Sequence, residues 1–138
     1  MALFSKLAKY KDFGLLIIRL GLGLMFIWHG YPKLMGGPKM WERLGGATGY
    51  LGIHFLPVVW GLLAALTETV GGVLLILGLA FRPVCLLLVI NLCVAAAFMM
   101  RQSGSDGGLA GASHAIEDAV VFAGLFFIGP GKYSVDKR

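Results

Sequence analysis

The chain has 138 residues, 58% of them hydrophobic and 14% charged, with a net charge of +5. A soluble domain carries about 25% charged residues, so the polar surface here is too small to cover a water-soluble globule and lipid must solvate much of the chain. The basic residues sit at the ends of apolar stretches rather than in one patch, which excludes nucleic acid as a partner and assigns them to membrane topology.

Four apolar stretches, 14–31, 58–79, 83–100 and 112–129, each have about the length a helix needs to cross a ~30 Å hydrocarbon core. The expected fold is all-α, an integral-membrane four-helix bundle formed by one domain over 1–138. A short interfacial helix or cap is expected between the first and second spans.

In chain order, residues 1–12 read as an amphipathic lead-in, with Leu3, Phe4 and Leu7 set against lysines. The first span lacks a small-residue cleavage site and Arg19 interrupts it, so it is expected to persist as a helix rather than act as a signal peptide. The pairs Gly14/Gly21 and Gly23/Gly30 recur at seven residues and form grooves that admit another helix. Pro32 is expected to end the span. Between Met40 and Gly52, Trp41, Leu44, Tyr50 and Leu51 mix with Glu42 and Arg43, which favours an interfacial helix or re-entrant cap. The tiny connection 80–83 makes the second and third spans antiparallel neighbours. Residues 101–111 are Gly/Ser-rich and expected to be flexible, with Ser113 capping the last span. Cys85 and Cys93 lie about 12 Å apart along one helix, beyond disulfide reach, and read as packing residues.

Lys6, Lys9, Lys11, Arg82, Lys132, Lys137 and Arg138 fall on one side of these spans; Lys33, Lys39, Arg43 and Arg101 fall on the other. This asymmetry predicts that both termini are cytoplasmic.

Arg19, His29, Glu68, Asn91, His114, Glu117 and Asp118 lie inside or at the edges of the apolar stretches. A charge in lipid costs several kcal/mol, so such residues are expected to face the protein interior and to partner one another. Counting ~1.5 Å per residue puts Arg19 roughly 9 Å, Asn91 roughly 12 Å and Glu68 about 13 Å above the inner boundary. That shared depth predicts an Arg19–Glu68 pair with Asn91 as hydrogen-bond partner. On this reading Arg19→Ala harms stability more than Arg19→Ala combined with Glu68→Gln. A second slab nearer the outside holds His29, Lys33, His114, Glu117 and Asp118, residue types suited to a polar headgroup, a proton relay or a metal. The same residues equally suit helix register and acids at a helix N-terminus.

The order of these pieces resembles the DoxX family of small four-span membrane proteins. The matching elements are Arg19, His29-Gly30-x-x-Lys33-Leu34, Glu68-x-x-Gly71-Gly72, Gly78 and Arg82, then His114 with Glu117-Asp118, Gly129-Pro130-Gly131 and Ser134-x-Asp136. The resemblance implies a bacterial cytoplasmic-membrane protein. Relatives include the small membrane subunit of archaeal thiosulfate:quinone oxidoreductase, and mycobacterial members tied to an oxidative-stress complex with superoxide dismutase and a sulfurtransferase.

Three functions follow as expectations. The first is the membrane subunit of a quinone-linked or oxidative-stress oxidoreductase that binds a quinone or similar lipophilic molecule. Arg19 and Glu68 would be its catalytic core, and His29, Lys33, Asn91, His114, Glu117 and Asp118 would line the substrate. No bound metal and no resident cofactor are expected, so electrons would arrive from a protein partner or from the substrate. The second is a non-enzymatic scaffold that recruits partners, and the third a small-solute transporter, which would require a homo-oligomer.

Overall fold

A computed structural model describes residues 3–102 and 107–136 of the chain. A 3-10 segment, Ser5–Tyr10, leads into α1 (Lys11–Met35), which is followed by α2 (Gly37–Gly45) and a second 3-10 segment, Gly46–Leu51. Then come α3 (Pro57–Leu77), α4 (Phe81–Arg101) and α5 (Gly108–Ile128), with no strand among the described residues. The helices α1, α3, α4 and α5 are each long and apolar enough to cross a membrane. The α2 helix and its 3-10 extension form the expected cap between the first two spans.

Two boundaries differ from the sequence reading. Pro32 does not end α1 but lies within it. Proline removes one N–H and crowds the carbonyl four residues back, yet the last turn survives because it is anchored from outside. The Lys33 carbonyl accepts a hydrogen bond from Trp41 Nε1 at 3.1 Å, and the Lys33 side chain reaches across to α3. At the other end of the chain, Ser113 does not cap α5, which begins five residues earlier at Gly108. The Ser113 hydroxyl instead donates to the Ala110 carbonyl at 2.9 Å, inside the helix. Of the connection expected to be flexible, 103–106 lie outside the described residues and 108–111 are helical.

Local chemistry explains the remaining ends. Pro57 opens α3, where its missing N–H would have had no intrahelical partner. Gly78, at φ +64°, closes α3. Its N–H donates to Leu75 and that of Leu79 donates to Leu74, at 3.1 and 3.0 Å, so two otherwise orphaned carbonyls are satisfied. A three-residue turn, 78–80, then starts α4. The cap of α4 comes from far away: the Asp136 carboxylate accepts from the N–H groups of Ala80 and Phe81 at 2.9 and 2.8 Å.

Packing is uneven around the bundle. A Cβ placed on Gly72 would lie 2.7 Å from the Gly23 carbonyl oxygen, and one on Gly30 would lie 2.7 Å from Glu68 Cβ. Glycine therefore brings α1 and α3 together, as small residues do where lipid offers no hydrophobic drive. Gly14 and Gly21 face open space and take no part. The cap docks the same way, Gly45 of α2 against the Pro57 carbonyl and Gly61 of α3 against the Trp41 carbonyl. In turn α3 packs on α4, and α4 packs closely on α5. The fourth flank is different. Among the described residues no Cα of α1 lies within 8 Å of one in α5, and the gap is bridged by the rings of Phe26 and Phe122, 5.2 Å between centroids. Side chains alone close the bundle there. Cys85 is buried in the core, whereas Cys93 is exposed.

Candidate functional site

Glu68 sits in the middle of α3, buried at 8% exposure, facing into the bundle. Its two oxygens accept from Lys33 Nζ at 2.9 and 2.7 Å. Asn91 Nδ2, from the middle of α4, donates to the first of those oxygens at 3.1 Å. Three helices thus meet on one carboxylate. The Asn91–Glu68 contact is the one expected from matched depth. The cation is not the one expected: Lys33 supplies it.

Arg19 is buried at 1% exposure, so it faces inward as predicted, but it does not pair with Glu68. Its guanidinium donates to four backbone carbonyls, Leu75 at 2.9 Å, Ile76 at 2.7 Å, Pro130 at 3.1 Å and Tyr133 at 2.7 Å. The physical reason is axial level. Gly30 lies against Glu68 and Thr69, while Arg19 lies against Gly78. Eleven residues of α1 separate the two levels, about 16 Å at 1.5 Å per residue. Arg19 therefore belongs to a separate polar knot that clamps the end of α3 to the C-terminal tail. There Val135 and Asp136 donate their N–H groups to Leu77 and Gly78, and the Lys132 N–H donates to Asp12. Side-chain inventory alone could not find this knot, because the partners of Arg19 are main-chain oxygens. The signal that the tail folds back was Gly129-Pro130-Gly131 followed by Ser134-x-Asp136.

The outer group is only partly assembled. His29 Nδ1 donates to the Met25 carbonyl at 2.8 Å and its ring is exposed. His114 and Glu117 approach to 3.8 Å, with side chains 94% and 70% exposed. Asp118 is half-buried and within electrostatic reach of His29 across the α1–α5 flank, as well as of His114 and Glu117. Lys33 leaves this group for Glu68. No set of three His, Cys, Asp or Glu side chains is placed to hold a metal among the described residues.

The cap-side half of the bundle therefore combines a buried ion pair and an amide with a flank that backbone does not seal. His29 lies one turn beyond Phe26, and Asp118 one turn beyond Phe122, both toward the cap. Two of the three ammonium hydrogens of Lys33 are directed at Glu68, leaving one donor; Asn91 keeps its carbonyl oxygen as an acceptor. A small molecule bearing a carbonyl or hydroxyl would find both functions there.

The DoxX family model matches residues 14–101, which span α1 to α4 and include Arg19, Lys33, Glu68 and Asn91. An uncharacterized protein of Haemophilus influenzae is 29% identical over 138 residues, covering 97% of this chain and 96% of its own. Inner membrane protein YphA of Escherichia coli is 28% identical over 143 residues, covering 94% and 97%. The uncharacterized membrane protein Rv3486 of Mycobacterium tuberculosis is 31% identical over 137 residues, covering 88% and 78%. No solved structure matches the chain. With four apolar spanning helices and a family match across the first three of them, the chain is a membrane protein and belongs to the DoxX family.

Proposed function

We propose that the protein is the membrane subunit of a quinone-linked oxidoreductase system and that a quinone-like ligand binds beside Lys33, Glu68 and Asn91. The observation that carries this reading is a buried lysine–glutamate pair next to the one flank closed by side chains alone. A lipophilic ring enters from lipid between α1 and α5, on the cap side of Phe26 and Phe122. The free N–H of Lys33 donates to a ring carbonyl, and Asn91 holds the ligand's orientation. As two electrons arrive from a partner protein, Lys33 gives up a proton to the oxygen that gains charge, and Glu68 stabilises the ammonium that is restored. His29 and Asp118, at the aqueous side of the flank, resupply protons. Arg19 is outside this site and holds the scaffold. The termini face the cytoplasm across the inner membrane, as the distribution of lysine and arginine favours.

A scaffold reading rests on a different fact: both Glu68 oxygens are already satisfied within the protein. Binding of a short-chain ubiquinone analogue to the full-length protein in lipid nanodiscs separates the two. The quinone reading expects saturable binding that Glu68→Gln weakens at least about tenfold, roughly 1.4 kcal/mol, while His54→Gln leaves it unchanged. Binding that is absent, or unaltered by Glu68→Gln in a folded variant, contradicts the quinone reading and leaves the scaffold.

A further inference from the structure

A cleft of about 730 Å³ opens at the end of the bundle that carries the termini, well away from Glu68. Its walls are Leu15 of α1, Pro83 of α4 and Ile128 of α5, with Gly129 and Pro130 beneath, and Lys11 and Arg82 stand over it. We propose that this cleft binds the phosphodiester headgroup of an anionic phospholipid.

Four observations converge on that ligand. The cleft lies where α1 and α4 begin and α5 ends, the depth at which hydrocarbon gives way to headgroups. Neither Lys11 nor Arg82 makes an ion pair or hydrogen bond among the described residues, and both are exposed. The Arg82 guanidinium is held over the end of α5, 3.3 Å from where a Gly129 side chain would begin. Asp136 also lines the cleft, but its carboxylate already accepts from Ala80 and Phe81. Lys11 and Arg82 against Asp136 leave one net positive charge, which a singly charged phosphodiester neutralises. The apolar walls run directly onto the exposed side chain of Ile128, so acyl chains leave the cleft along surface that lipid already covers. Basic pockets between spanning helices take anionic headgroups in this manner, and the volume falls within the range of small-ligand sites.

The test is native mass spectrometry of the full-length, delipidated protein offered equal amounts of phosphatidylglycerol and phosphatidylcholine. The wild type should retain phosphatidylglycerol about tenfold over phosphatidylcholine, a difference of roughly 1.4 kcal/mol. Lys11→Gln with Arg82→Gln should abolish the preference, whereas Lys11→Arg with Arg82→Lys should keep it. Lys39→Gln with Arg43→Gln, which removes equal charge at the cap end, should also keep it. Equal retention of the two lipids by the wild type overturns the proposal, as does loss of the preference in the cap-end variant. Displacement of the lipid by millimolar glycerol phosphate would make the site one for soluble phosphate and would overturn it as well.

Discussion

Arg19→Ala should destabilise the protein by on the order of 4 kcal/mol, read as a fall in its unfolding temperature in detergent. The side chain is almost fully buried and donates to four carbonyls from α3 and the tail. Charge-assisted hydrogen bonds contribute about 1.5–3 kcal/mol each, and their sum is discounted because released tail carbonyls can find water. The loss spreads, since freeing the tail also withdraws Asp136 from the start of α4. Arg19→Lys should recover only part of it, because an ammonium lacks the planar fork that spans four acceptors. Adding Glu68→Gln to Arg19→Ala should have an additive effect within about 0.5 kcal/mol, as expected for groups well apart with no shared partner. Rescue by Glu68→Gln would restore the pairing that the sequence alone favoured.

The second large effect belongs to Lys33. Lys33→Ala strands a carboxylate that is 11% exposed and keeps only the amide of Asn91. Breaking one side of a buried pair costs about 3–5 kcal/mol; the lower end applies because the Lys33 side chain is 34% exposed. Combining Lys33→Ala with Glu68→Gln removes the orphaned charge and should return about 1–2 kcal/mol of that loss. Unfolding of the single and double variants in the same detergent decides it. A double variant no more stable than Lys33→Ala would mean that the ion pair contributes no net coupling.

Much of this architecture was legible in residue order. Apolar stretches of spanning length located all four long helices, and the aromatic-rich segment around Trp41 located the cap. Depth matching worked for Glu68 and Asn91 because α3 and α4 are joined by three residues and so share an origin. It failed for Arg19 because α1 extends past both ends of its apolar stretch, leaving no common origin with α3. Lys33 was placed outside the core for a related reason: proline normally ends helices, and here tertiary contacts carry the helix through Pro32. The glycine signal was half informative. Gly23 and Gly30 meet α3, but nothing in their seven-residue spacing separates them from Gly14 and Gly21, which meet nothing. The charges over the terminal cleft, Lys11 and Arg82, were visible only as topology signals, since their proximity depends on how the tail folds under α5.

Cross-linking in native membranes tests the central arrangement most directly. With Cys85 and Cys93 replaced by alanine, Lys33→Cys combined with Glu68→Cys should be joined by a short bifunctional thiol reagent, and Arg19→Cys combined with Glu68→Cys should not. A joined 19–68 pair together with an unreactive 33–68 pair would contradict the assignment of Lys33 as the partner of the buried carboxylate.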